Sequence, residues 1–224
     1  MIYEQLFGLF PDPRVYVLTS AVGDEALAFI SEREAASIVD AVPKRRREFA
    51  TARALAREGL ARFFGLHDFN LLNDKDRAPI WPQGIAGSLS HSSTHAWVAL
   101  VDATYGTIGV DGEDRDKLER SLWHLTMRDE EIAYLKTLET SVQERRALVI
   151  FSAKEALYKT QFPWSHKYVD FMAVQIRLDE DGSLQCIFQS DIAPFQSGFV
   201  AHGRWSDETE VLTTVSIPSL SSVA

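Results

Sequence analysis

The chain has little of what usually staples or anchors a protein. One cysteine, Cys186, occurs in 224 residues. A lone thiol cannot form an intramolecular disulfide, so a reducing, cytoplasmic setting and a fold held by its apolar core are expected. Cys186 sits in the strand-like run SLQCIFQS, where a small buried role suits it. No apolar run approaches the ~18 residues that a membrane helix needs. The N-terminal MIYEQLFGLFPDPR has no basic leader and no small-residue cleavage site, so export is not expected. Positive charge is in deficit: Lys and Arg number 23 against 32 Asp and Glu, a net charge of −9. That balance argues against general binding to nucleic acid or anionic membranes. There is no Walker A loop, no GxGxxG turn and no nucleophile elbow, which removes two common nucleotide-binding classes and weakens a serine-hydrolase reading.

What remains is ordinary globular material, 46% apolar and 25% charged, enough for one large domain or two halves of roughly 110 residues. Val15 to Thr19 (VYVLT) reads as a strand and Glu25 to Ile38 as helical. From Lys44 to Phe64 the pattern is strongly helical, with Phe49, Ala52, Ala56, Leu60 and Phe63 on one apolar stripe. Residues 70–87 read as loop, with prolines at 79 and 82. SLSHSSTHAWVALV leads into a strand ending near Val101, and TIGVD is another. A long helical stretch follows over 128–162 with a break near Thr140. Then comes a hairpin, VQIRL and SLQCIF around DEDG, and two further strands, Phe199–Trp205 and Glu210–Ile217. This order predicts an α+β fold.

Four places carry chemistry-bearing residues. In an acidic chain, the basic run Lys44, Arg45, Arg46, Arg47 is either a solvated helix start or a seat for a polyanion. Arg46, Arg53 and Arg57 share one face of that helix. Ser90, His91 and Ser92 lie in a small-residue turn able to hold a phosphate. In GVDGED, Asp111 and Glu113 point to the same side of an extended strand; two such carboxylates suit Mg²⁺, and equally a strand ending in acidic turn residues. In FSAKEALYKTQF, Ile150, Ala153 and Leu157 face the core, while Glu155 and Lys159 share another face one turn apart. In isolation that spacing is commonest as a surface ion pair.

Taken in order, the blocks KRRREFATARALAREGL, RAPIWPQGIAGSLSH, IGVDGED and FSAKEALYK resemble the Sfp-type 4′-phosphopantetheinyl transferases, in style the enterobactin-synthetase branch. The last two match that family's GxD-x-E and W-x-x-K-E-x-x-x-K signatures. The resemblance implies an α+β (α/β) fold of two similar halves, 1–106 and 107–224, with the active site between them. It implies transfer of phosphopantetheine from coenzyme A to a serine of an apo acyl or peptidyl carrier protein, with 3′,5′-ADP as the leaving group. It assigns Asp111, Glu113 and Glu155 to Mg²⁺, and Glu155 and Lys159 to catalysis. Arg46, Arg47, Arg53, Arg77, Ser90, His91, Lys154 and Lys159 are assigned to coenzyme A. A monomer is expected, with siderophore, polyketide and fatty-acid carriers all admissible. Two departures stand out: Phe151 replaces the family's frequent tryptophan, and Gly112 its usual apolar residue. The competing readings are an Mg²⁺-dependent phosphohydrolase and a non-catalytic coenzyme A- or carrier-binding module.

Overall fold

The computed structural model describes residues 3–6, 12, 14–114 and 118–219. The chain forms two compact units, Met1–Gly106 and Thr107–Ala224.

The first unit contains β1 (Glu4–Gln5), β2 (Val15–Ala21), α1 (Glu32–Ala36), α2 (Pro43–Phe64), β3 (Ile85–His91) and β4 (His95–Asp102). Its strands pair antiparallel in the order β1-β2-β4-β3. Proline at the first position suits the start of α2, because the missing N–H would have had no helical partner there. Gly65, at φ 67°, ends the helix in the left-handed region. Leu55, Ala56 and Leu60 of α2 pack with Leu18, Val98 and Leu100 of the sheet. The single helix expected over 25–38 is instead two short pieces, a 3₁₀ turn at Asp24–Phe29 and α1. Ser31 divides them: its hydroxyl accepts the Glu34 N–H, and the Glu34 carboxylate accepts the Ser31 N–H, which starts a new helix. A second difference concerns Ser90 and His91. They are not in a turn but close β3, opposite Trp97 and Ala96; the turn is the short link 92–94. The small polar residues of GSLSH hid a strand whose apolar partner strand was the visible signal.

The second unit begins along β5 (Gly106–Glu113) and continues through α3 (Trp123–Thr126), α4 (Asp129–Thr137), α5 (Thr140–Ser165), β6 (Val174–Leu178), β7 (Ser183–Phe188), β8 (Val200–Ser206) and β9 (Val211–Pro218). The sheet order is β5-β9-β8-β7-β6. The meander β6 to β9 is antiparallel, and Gly182, at φ 81°, makes the left-handed corner of the expected hairpin. The long helix α5 lies along the sheet, burying Ala147, Leu148, Ile150, Ala153 and Leu157 against Ile176, Leu184, Phe188 and Val215. Cys186 is fully buried in this core, and burial pushes its thiol pKa up. Among the described residues, no helix is long and apolar enough to cross a membrane.

Candidate active site

The centre of the second unit is a seam between β5 and α5. Thr107 Oγ1 donates to the Thr160 carbonyl at 2.7 Å and accepts the Trp164 indole N–H at 2.7 Å. Two residues on, Gly109 faces the Ala156 carbonyl so closely that a Cβ would sit 1.9 Å from its oxygen. Two further on, the Asp111 carbonyl accepts the Ser152 hydroxyl at 3.2 Å. Two strand residues advance about 6.6 Å and four helix residues about 6 Å, so the two elements stay in step over three contacts. Alternation then puts Asp111 on the face of β5 that looks at the helix.

That register brings the predicted charges together. Lys159 Nζ donates to the Val110 carbonyl at 3.0 Å and to Asp111 Oδ1 at 2.8 Å. Asp111 is buried, while Glu113, Glu155 and Lys159 are half-buried. Burial, and then the charge of Asp111, raise the Glu155 pKa above the ordinary carboxylate value; Lys159 opposes the rise and Glu113 adds to it. Glu155 therefore feels the charges of the other three. Among the described residues, no three His, Cys, Asp or Glu groups are already closed into a metal cage. Carboxylates that repel one another in a partly desolvated place nevertheless fit a hard divalent cation, which would relieve that repulsion and take oxygen ligands. The donor set fits Mg²⁺.

Lys154 goes elsewhere. Its side chain is 2% exposed, and its ammonium donates to Glu131 Oε2 at 2.7 Å and to the carbonyls of Thr126 and Phe171, each at 2.9 Å. An ammonium has three donors, and all three are used inside the unit. The assignment of Lys154 to coenzyme A is therefore not met by its geometry. A pocket of about 170 Å³ opens beside Glu155, walled by Leu157, Tyr158, Tyr168 and Phe171. Phe151, which stands at the family's tryptophan position, packs its ring 5.5 Å from that of Phe171.

In the first unit the basic helix divides. Arg46 is exposed, and Arg47 is half-buried with Asp24 3.6 Å away. Arg45 donates to His91 Nε2, whose other ring nitrogen lies 3.5 Å from Glu48. Arg53 is buried: it donates to the Leu71 carbonyl at 2.8 Å and to Asn73 Oδ1 at 2.5 Å, and stacks over Phe49. Burial pulls its pKa down to about 10. Arg57 contacts Glu34 and the carbonyls of Phe29 and Phe69. Arg53 thus ties down the chain after α2, and Arg57 links that chain to Phe29 and Glu34 before the helix. Ser90 is buried at the end of β3. Arg77 is exposed on a turn that Asp74 caps.

Two positions, Glu48 and Gly109, escaped the sequence reading, and Arg45 was named only as part of the basic run. Arg45 and Glu48 flank His91; an i,i+3 pair at the helix start was the available signal. Gly109 looked like an unremarked strand residue, although glycine inside a strand marks close backbone approach.

Comparison with known proteins fits both units. Residues 33–101 match the 4′-phosphopantetheinyl transferase N-terminal domain, and residues 107–215 match the 4′-phosphopantetheinyl transferase superfamily. The 4′-phosphopantetheinyl transferase Npt of Nocardia iowensis is 32% identical over 76% of this chain and 74% of its own length. The chain belongs to the 4′-phosphopantetheinyl transferase superfamily. The superfamily match takes in the β5–α5 seam with Asp111, Glu113, Glu155 and Lys159. Two other 4′-phosphopantetheinyl transferases are similar to this superfamily member. Svp of Streptomyces mobaraensis is 33% identical over 70% of this chain, and PptT of Mycobacterium tuberculosis is 31% identical over 67%. The matched stretch spans 65% of Svp and 66% of PptT, just under two thirds of each. Among solved structures, the holo-[acyl-carrier-protein] synthase of Thermotoga maritima aligns with a TM-score of 0.40 at 18% identity, over 48% of this chain and 60% of that one.

Proposed function

We propose that the chain transfers the 4′-phosphopantetheine group of coenzyme A to a serine hydroxyl of an apo carrier protein and releases 3′,5′-ADP. The observation that carries this reading is the cluster on the β5–α5 seam, where Lys159 holds Asp111 and both Asp111 and Glu113 act on Glu155, in a chain of this family.

The serine oxygen forms a bond to the β-phosphorus, and the bond from that phosphorus to 3′,5′-ADP breaks. Glu155, or a water it orients, takes the serine proton. Lys159, a compact point charge, stabilises the anionic leaving group. Asp111, Glu113 and Glu155 would hold Mg²⁺, which supplies charge neutralisation at the pyrophosphate. Ser90, His91, Arg46, Arg47 and Arg77 are assigned to the phosphates of coenzyme A, with Arg45 added because it contacts His91; Lys154 is set aside because it is buried with its three donors used internally, and Arg53 because it is buried and bonded to Leu71 and Asn73. Within the family we place the chain in the enterobactin-synthetase-like branch, on the R-x-P element at Arg77 to Pro79. We place it in the cytoplasm as a monomer acting on carriers of nonribosomal peptide or siderophore synthesis.

The test is incubation with coenzyme A, Mg²⁺ and a panel of apo carriers, read by intact mass. The reading requires one phosphopantetheine added to a carrier, dependent on the divalent cation. Release of 3′,5′-ADP without any carrier would make the chain a hydrolase. Tight coenzyme binding without turnover would make it a binding module.

A further inference from the structure

The pair Lys154–Glu131 is a deeply buried ion pair of the second unit, with side-chain exposures of 2% and 1%. Such a pair adds little stability by itself, because desolvation offsets most of the attraction. Its connections are what distinguish it. Glu131 Oε2 also accepts the Arg128 N–H at 2.8 Å, and Glu131 Oε1 accepts the Ile176 N–H at 2.6 Å. Lys154 holds the Phe171 carbonyl at 2.9 Å, and Arg128 Nη1 holds the next carbonyl, Met172, at 2.6 Å. Lys154 through its ammonium and Arg128 through its backbone N–H both meet the Glu131 carboxylate, and their side chains grip successive carbonyls of a short 3₁₀ turn, Phe171–Ala173. The turn is also tied by Asp170, which accepts the Met172 N–H at 2.8 Å and the Ala173 N–H at 2.9 Å, and by Gln189, whose N–H donates to the Ala173 carbonyl at 2.8 Å. The stretch that runs into this turn, Tyr168 to Phe171, is one wall of the pocket beside Glu155.

We propose that Lys154 is a positioning residue, which together with Arg128 and Glu131 clamps the carbonyls of Phe171 and Met172 and so fixes the Tyr168–Phe171 wall of the pocket beside Glu155. Lys154 precedes Glu155 in sequence and borders the same pocket, but its three ammonium donors are taken by Glu131, Thr126 and Phe171, so its effect on the reaction passes through the wall and not through a phosphate. Hydrogen bonds to carbonyls set the distance and direction of that wall, which an apolar contact would leave looser. The proposal rests on the proposed transfer only for its kinetic readout.

The test pairs hydrogen exchange of the ligand-free protein with transfer kinetics. Lys154→Met and Glu131→Gln each leave a buried charge or acceptor uncompensated. Both are expected to speed exchange over residues 169–176 and to lower kcat/KM for coenzyme A by about tenfold or more. The double variant, with both charges gone, is expected to be no worse than the poorer single variant. Arg128→Ala leaves the buried pair whole, and it is expected to speed exchange at 171–173 and to lower kcat/KM. If Lys154→Met abolishes transfer with unchanged exchange over 169–176, Lys154 acts on the substrate and the proposal is wrong. Should the buried variants fail to fold, Arg128→Ala decides alone; unchanged exchange at 171–173 overturns the clamp. If the wild-type chain transfers nothing to any carrier, the proposed function fails, while the exchange arm still decides the clamp.

Discussion

Gly109 and Ala156 meet with no room for a side chain between them: a Cβ on Gly109 would lie 1.9 Å from the Ala156 carbonyl oxygen and 2.8 Å from its carbon. The obstacle is helix backbone, which cannot step aside as a flexible side chain would. Gly109→Ala therefore forces α5 away from β5, and with it Lys159 away from Asp111. The expected outcome is a loss of about 3 kcal/mol of stability and loss of transfer activity, measured by denaturant unfolding and by intact-mass assay. A Gly109→Ala protein with unchanged stability would mean that the seam is not so tight.

Lys159 is the only side chain among the causes of the Glu155 shift that lowers its pKa. Lys159→Ala removes that opposition, so in the metal-free protein the Glu155 carboxyl titrates at a higher pH than in wild type, as read by NMR. Loss of the point charge at the leaving group should reduce single-turnover transfer by about 10²–10³. A slower enzyme with an unmoved Glu155 titration would separate Lys159 from Glu155.

Glu155 has a folded-state pKa above its ordinary value because of burial and the charge of Asp111. The folded chain then holds more proton than the unfolded one between the two values, so stability falls as pH rises through that window. Above it, the ionised carboxylate weakens the metal-free fold. Glu155→Gln is accordingly expected to unfold at higher temperature than wild type at neutral pH without metal, and to lose that advantage below the window. It should also transfer nothing, and respond less to Mg²⁺ in thermal melts than wild type does. Equal melting temperatures at neutral pH would contradict the repulsion argument.

Arg53 and Arg46 lie on the same helix with opposite surroundings, one buried on Leu71 and Asn73, the other exposed. Arg53→Ala should cost about 2–3 kcal/mol, the loss of two buried hydrogen bonds and their partners' satisfaction, without changing the preference for coenzyme A over dephospho-coenzyme A. Arg46→Ala should leave the melting temperature within a degree or so and raise the KM for coenzyme A several-fold. The reversed pattern would return the 3′-phosphate to Arg53.

The sequence alone determined the elements whose apolar spacing is regular and the residue types of the chemistry. The stripe of Phe49, Ala52, Ala56 and Leu60 marked α2 to within one residue, and the alternation around DEDG marked the β6–β7 hairpin. Asp111, Glu113, Glu155 and Lys159 could be named because their motifs are local in the chain. Where a charge ends up is not local. Arg46 and Arg53 share a helix, and Lys154 and Glu155 are neighbours, yet one of each pair has all its contacts within the fold. Only the tertiary structure decided this, because an arginine or lysine is drawn to whichever unpaired carbonyls and carboxylates the packed backbone leaves within reach. Those acceptors come from Leu71, Glu131 and Phe171, positions that no spacing in the sequence connects to the helices they meet.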